Sequence, residues 1–338
     1  MVFKRLLGSL GVGGPTVDTV LEGGAALPGG ALHGQVHLKG GSAAFDIEQI
    51  TLELVARVEA EREDGESEGA VTFGRFMVGG GFRLGEEEQR SVPFSVTLPW
   101  ETPVTELHGQ PLGVVLGVRT ELAVAGAKDK GDLDPLAVGP LPVQEAVLEA
   151  FGQLGFGFKS ADLEYGRIGG TGQQLPFYQE VELTPSPAYA HAVNEIEVTF
   201  LADPGGMDVV LEADKRGGLF SSGHDSITRF RVSYAAVEQR DWNTEVDGWV
   251  RQLIESGTSH GSHSEYGHGD HSHIGHQGHH HGHDEHHHDG HRSGPGMGTA
   301  VAAGTAGLAV GVVGGMVAAE VVDEIGDAFE GDEEEEEG

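Results

Sequence analysis

Cysteine is absent from this 338-residue chain. That excludes disulfides, thiolate zinc sites, iron–sulfur clusters and cysteine nucleophiles. Positive charge is scarce: 20 Lys and Arg stand against 54 Asp and Glu, for a formal net charge of −34. A nucleic-acid partner needs a basic surface to meet its phosphates, so nucleic acid is excluded. An anionic lipid surface would also repel such a chain unless an apolar device overrides the charge. Hydrophobic residues reach only 38%, below the share of a fully globular chain, so part of the sequence does not build a core. Catalytic signatures are missing too. There is no Gly-x-Ser-x-Gly elbow, no phosphate loop and no His-Glu-x-x-His. Gly79-Gly-Gly81 follows a strand pattern but opens no helix, which rules out a dinucleotide fingerprint. The start, Met1-Val-Phe-Lys-Arg-Leu-Leu-Gly8, is basic and then apolar. Glycine breaks the apolar run too early for a secretion signal, so the expected location is cytoplasmic.

What is present reads as strands. Ile50, Leu52, Leu54, Ala56 and Val58 alternate with Thr51, Glu53, Val55 and Arg57, the period of a strand with one buried face. Leu116, Val118, Thr120, Leu122 and Val124 repeat the pattern, as do Ile196, Val198 and Phe200, and Phe230, Val232 and Tyr234. Phe94–Leu98 is a further short run, stopped by Pro99. Glycine and proline clusters separate these runs, which predicts an all-β fold of sandwiches or barrels. Two helices are expected. One covers Val143–Leu154, opened by Pro142 and stopped by Gly155. The other covers Asn243–Glu255, with Asn243 or Thr244 as N-cap and an apolar stripe of Val246, Trp249, Val250, Leu253 and Ile254. The Lys-, Asp-, Gly- and Pro-rich segment 126–142 marks a boundary. The expected organisation is a block 1–130, a block 140–255 ending in a helix, a linker 256–293, an apolar helix 294–330 and an acidic end 331–338.

Particular strings resemble a known family. The first block carries Pro28-Gly-Gly-x-x-x-Gly34-x-Val36-x-Leu38-x-Gly40-Gly41, then Ile47-x-x-Ile-x-Leu-x-Leu54, then Val92-Pro-Phe-Ser-Val-Thr-Leu-Pro99 with Thr102-Pro103. The second carries Glu195-x-Glu-Val-Thr-Phe200, Met207-Asp-Val-Val-Leu-Glu-Ala-Asp-Lys-Arg-Gly217, Asp241-Trp242 and Val246-Asp-x-Trp249-Val-Arg-x-Leu253. Together, over about residues 1–255, they resemble the bacterial arrestin-like sporulation-control proteins of the stage-zero M type. The resemblance implies two arrestin-like β-sandwiches in tandem. It also implies a non-catalytic regulatory or scaffold role in sporulation or cell-cycle control, exercised through protein partners, with no cofactor required.

Two features lie beyond the resemblance. Fourteen of the 19 histidines fall between His260 and His291. His268, His271, His273, His276, His279, His280, His281, His283, His286, His287 and His288 are spaced so that several imidazoles reach one ion. Neutral imidazole suits Zn²⁺ or Ni²⁺. A His, Gly, Ser and Asp tract cannot bury a core, so it is also expected to be an unstructured linker. The alternative function is therefore metal handling: zinc or nickel binding, storage or sensing. The second feature is Thr299–Ala319, 21 residues without a charge, the length of a bilayer-crossing helix. Ala303, Gly307, Gly311, Gly315 and Ala319 form a small-residue ladder, a glycine zipper that favours close helix approach. Membrane contact and self-association both fit it. The acidic end reads as a solvated cap. In the body, His33 and His37 share a strand face and are candidates for a metal site with His108 or His191.

Overall fold

The structure is a computed structural model that describes residues 13–62, 65–126, 130–215, 226–235 and 237–259. Strands dominate it. The first part of the chain forms β1 (Thr16–Glu22), β2 (Ala31–Lys39), β3 (Phe45–Arg62), β4 (Gly65–Gly79), β5 (Phe82–Leu84), β6 (Gln89–Thr97), β7 (Glu106–Leu107), β8 (Gln110–Pro111), β9 (Leu116–Val124) and β10 (Lys130–Pro135). The rest forms α1 (Pro142–Gln153), β11 (Gly157–Tyr165), β12 (Phe177–Thr184), β13 (Val193–Asp203), β14 (Gly206–Lys215), β15 (Ser226–Val232) and α2 (Trp242–Ser259). Among the described residues the strands form three sheets. One has the order β1-β2-β6, and one is the small β7–β8 hairpin. The third is ten-stranded, along the path β10-β9-β3-β11-β12-β13-β14-β15, with β4 and β5 also paired to β3.

Alternation in sequence becomes burial in space. Ile50, Leu52, Leu54, Val118 and Leu122 are completely buried. They face Val17, Val36, Leu38 and Phe94 from the three-stranded sheet, and the two layers enclose the first core. Each such side chain contributes about 2 kcal/mol by area alone. Across the open side of this sandwich, the Thr19 N–H donates to Asp132 Oδ2 at 2.7 Å and Thr19 Oγ1 meets Thr120 Oγ1 at 2.7 Å. These bonds seat β1 against β10 and β9.

The second core lies between the inner face of β11–β15 and both helices. It holds Val143, Val147, Phe151, Met207, Val246, Val250 and Leu253. Both expected helices form, and their ends explain why. Gly155 adopts φ +89°, and the N–H groups of Gly155 and Phe156 donate to Gly152 O and Phe151 O, each at 3.0 Å. This is a Schellman ending with its apolar contact, the Phe151 and Phe156 rings standing 5.2 Å apart. In α2 the stripe is buried as expected, but the cap differs. Asp241 holds the N-terminus: its Oδ1 accepts the Thr244 N–H at 3.2 Å and its Oδ2 the Thr244 hydroxyl at 2.7 Å. Asn243 instead donates to Gln153 Oε1 on α1 at 2.8 Å.

Three further differences matter. The segment expected as a boundary contains β10, which pairs with β9 and so belongs to the first layer. Among the described residues the strands of the second block pair into one sheet, which α1 and α2 cover. Two amphipathic helices already supply the apolar cover that a second sheet would give. The blocks are also continuous. Glu59 of β3 stands opposite Glu164 of β11 in parallel, and Leu163, Leu175 and Phe177 of the second block lie in the first core.

Candidate interaction surfaces

Strand β3 is long enough to be paired on both sides. It meets β9 over Ile47–Ala56 and β4 over Ile50–Arg62. Among the described residues no strand pairs with the far side of β4, and no backbone bond is made there. Such a row of open N–H and C=O groups invites another strand. Two bulges limit it. Phe73 is skipped between Gly74 opposite Leu54 and Thr72 opposite Val55, and Val78 is skipped between Gly79 and Met77. The longest regular run is thus Gly65–Thr72. On the core side, Val71, Phe73, Phe76 and Val78 pack against the first core but stay only partly buried. On the other face Met77 is 74% exposed. Glu68 stands opposite Glu59 at the Gly65 end of the edge, about half exposed and 3.8 Å from Arg57.

The outer sheet faces differ in charge. Between β3, β4 and β9, Glu53 is only 3% exposed and is fully paired. Arg119 donates to it through Nε at 3.0 Å and also through its terminal nitrogen. Arg75 reaches it at 3.0 Å and continues to Glu121 at 3.1 Å. Beneath this network Val55 and Ala70 are buried with Leu133 and Val115, so Val55, on the side expected to be polar, is apolar packing.

The outer face of β11–β14 is a carpet of carboxylates. Registers set Asp162 beside Glu180, Glu182 beside Glu197 and Glu197 beside Glu212. Two cations meet it among the described residues. Lys159 Nζ lies 2.7 Å from Glu182 and 2.8 Å from Glu195, which raises the lysine well above its ordinary value. Toward the far end Arg231 lies 2.8 Å from Asp203 and 3.6 Å from Asp208. Burial, then the charges of Glu197 and Asp162, push Glu180 up to about 9. Burial, then Glu182 and Glu59, push Asp162 up to about 6. At the β1–β10 seam, burial, then Asp132 and Asp18, push Asp134 up to about 7, and its Oδ2 is buried with no hydrogen-bond partner.

The histidines expected as ligands are distributed differently. His268, His271, His273, His276, His279, His280, His281, His283, His286, His287 and His288 lie outside the described residues, as does Thr299–Ala319. No helix among the described residues is long and apolar enough to cross a membrane. His33 and His37 point outward from β2, and His37 Nδ1 is 2.8 Å from Ser91 Oγ. Neither they nor His191 joins a group of three possible ligands among the described residues. His108 does, but with Glu145 and Glu149, a pairing of hairpin and helix that no sequence spacing announces.

The profile of the Spo0M family, described as SpoOM protein, matches residues 3–217. The chain belongs to that family. The sporulation-control protein Spo0M of Bacillus subtilis (strain 168) is 37% identical over 260 residues, covering 75% of this chain and 97% of that protein. The crystal structure of Spo0M from Bacillus subtilis matches at a TM-score of 0.62 and 32% identity, covering 72% of this chain and 99% of that one. The Spo0M relative is therefore spanned almost end to end, while a quarter of this chain exceeds it. The family match ends before the His-rich linker begins.

Proposed function

We propose that the chain is a non-catalytic regulatory protein of sporulation control that works in the cytoplasm by binding other proteins. Family membership supports the process, and the open edge of β4 supports the means. The first block's sandwich, continued into a second β block, supports an arrestin-like reading, with helices replacing one layer in the second block. On this reading the partner adds an extended strand to Gly65–Thr72. The apolar face of that strand completes the cover over Val71 and Phe73, and a Lys or Arg meets Glu68. Backbone bonds supply affinity, while the half-covered apolar row and Glu68 supply selectivity.

Gly69 gives a clean test. A Cβ built there meets nothing within 4 Å, so Gly69→Lys places a charge on the edge without a clash, at a surface cost within about 0.5 kcal/mol. Lysine on an edge repels an incoming strand, a basic one most of all. The full-length chain and the variant are expressed in Bacillus subtilis lacking its own Spo0M, and spores are counted. The wild-type chain is expected to restore the spore count, and Gly69→Lys to fail while melting at an unchanged temperature. A wild-type chain that restores nothing would overturn the regulatory reading. Equal restoration by both would overturn docking at β4.

A further inference from the structure

Leu107 stands directly opposite Gln110, so His108 and Gly109 form the whole loop of the β7–β8 hairpin. Both have positive φ, +51° and +74°, the conformation of a type I′ turn. A non-glycine residue seldom adopts it, and here it fixes the direction of the imidazole. The hairpin is itself anchored, because Leu107 packs on the second core and Leu112 is buried in it. Opposite the hairpin tip, Glu145 and Glu149 lie one turn apart on α1 and so share a face. His108 Nδ1 is 3.3 Å from Glu145 Oε1, and Nε2 is 3.6 Å from Glu149 Oε1. One donor from each residue lies within 4.8 Å of the other two, the only such trio among the described residues. Within those residues, neither carboxylate has another charged side-chain partner.

We propose that His108, Glu145 and Glu149 bind a divalent ion of the zinc class and thereby staple the β7–β8 hairpin to α1. One imidazole and two carboxylates make a three-ligand set that leaves a position for water, as zinc accepts. Two donors on one tetrahedral zinc stand about 3.4 Å apart, given bonds of about 2.0–2.1 Å. The His108–Glu145 pair already has that spacing, and a turn of the exposed Glu149 side chain completes the set. Two carboxylate charges are neutralised by the ion, which matters in a chain so short of cations. The site draws on none of the linker histidines and does not depend on docking at β4.

The test uses the full-length chain with its fourteen histidines at 260–291 changed to asparagine, so that linker binding is silent. Zn²⁺ is titrated calorimetrically, and melting is followed with and without the ion. About one ion per chain is expected, with a rise in melting temperature because the ion binds the folded state. His108→Asn, which tolerates the positive φ, and Glu149→Gln are each expected to weaken binding at least about tenfold. Their circular dichroism should be unchanged. No uptake would overturn the proposal and leave the trio as a contact between hairpin and helix alone. Uptake that neither variant weakens would overturn it as well, by placing the ion elsewhere.

Discussion

The two outer faces of the large sheet solve the same problem in opposite ways. On the β3–β4–β9 face a buried carboxylate, Glu53, is matched by two guanidinium groups. On the β11–β14 face Asp162, Glu180, Glu182, Glu195 and Glu197 crowd together, and Lys159 pairs with Glu182 and Glu195. The first face neutralises charge with charge. The second neutralises it with protons, since Glu180 is pushed up to about 9 and Asp162 to about 6. One sheet thus carries a face whose buried carboxylate is held by ion pairs, and one whose carboxyl groups are raised by burial and by each other. The two are joined along β3 and β11, so both belong to the same continuous sheet.

The largest expected effect breaks the paired face. Arg119→Met removes the guanidinium nearest to Glu53 and leaves a carboxylate buried with only the exposed Arg75. Removing one partner from a buried ion pair costs about 3–5 kcal/mol, and the remaining Arg75 holds the expected loss to about 3 kcal/mol. Urea unfolding should show that loss at unchanged slope. A loss below about 1 kcal/mol would mean that Arg75 alone suffices.

The next effect probes the unpaired face. A carboxyl whose folded value is raised keeps its proton when the unfolded chain has lost it. Its stabilising contribution is complete below its ordinary value, near 4.5 for Glu180, and is lost as pH rises toward about 9. Asp162 and Asp134 act in the same direction up to about 6 and about 7. The chain is therefore expected to be more stable at pH 5 than at pH 8. Glu180→Gln, which holds the neutral form permanently, should stabilise at pH 8 by about 2 kcal/mol and flatten the pH profile. Melting curves at both pH values check this. If the wild-type chain were more stable at pH 8, the protonated-face account would fail.

The contrast also shows which parts of the fold were legible in sequence. Ile50–Val58 and Leu116–Val124 announced themselves because a strand buried on one face must alternate. Strand β4 did not, because its bulges at Phe73 and Val78 shift the parity twice within 15 residues. The helical stripes were visible, but not that they would replace a second sheet in the second block. The cap of α2 lay one residue outside the helix, at Asp241, where Asn243 and Thr244 were equally polar competitors. The Glu-x-Glu spacing of 180–182 and 195–197 is plain in the sequence. That Glu182 opposes Glu197 depends on the register of β12 and β13, which is a tertiary fact. The His108 trio was hidden for the same reason. His108-Gly109 and the four-residue step from Glu145 to Glu149 are local signals, but only the fold brings them together.

The smallest effect sharpens the comparison most. Lys159 is about half exposed, so its ion pairs with Glu182 and Glu195 are screened by water and worth about 1 kcal/mol or less. Burial pushes Glu182 up, but hydrogen bonds from Lys159 and Ser160 outweigh it and hold the group below its ordinary value. Glu195 stays above its own, raised by burial despite the same lysine. Lys159→Gln removes the cation that pairs Glu182 and Glu195 and leaves those two carboxylates to repel each other. Repulsion between carboxylates that still reach solvent, as Glu182 and Glu195 do, is screened at high ionic strength, where the Debye length falls to about 3 Å at 1 M. The variant should therefore lose stability at about 0.05 M KCl and regain most of it at about 1 M. Arg119→Met, whose half-paired carboxylate is buried, should not be rescued. Equal rescue of both variants would show that the faces do not differ in kind. Rescue of Lys159→Gln alone would establish that salt and protons do, on one half of the sheet, what arginine does on the other.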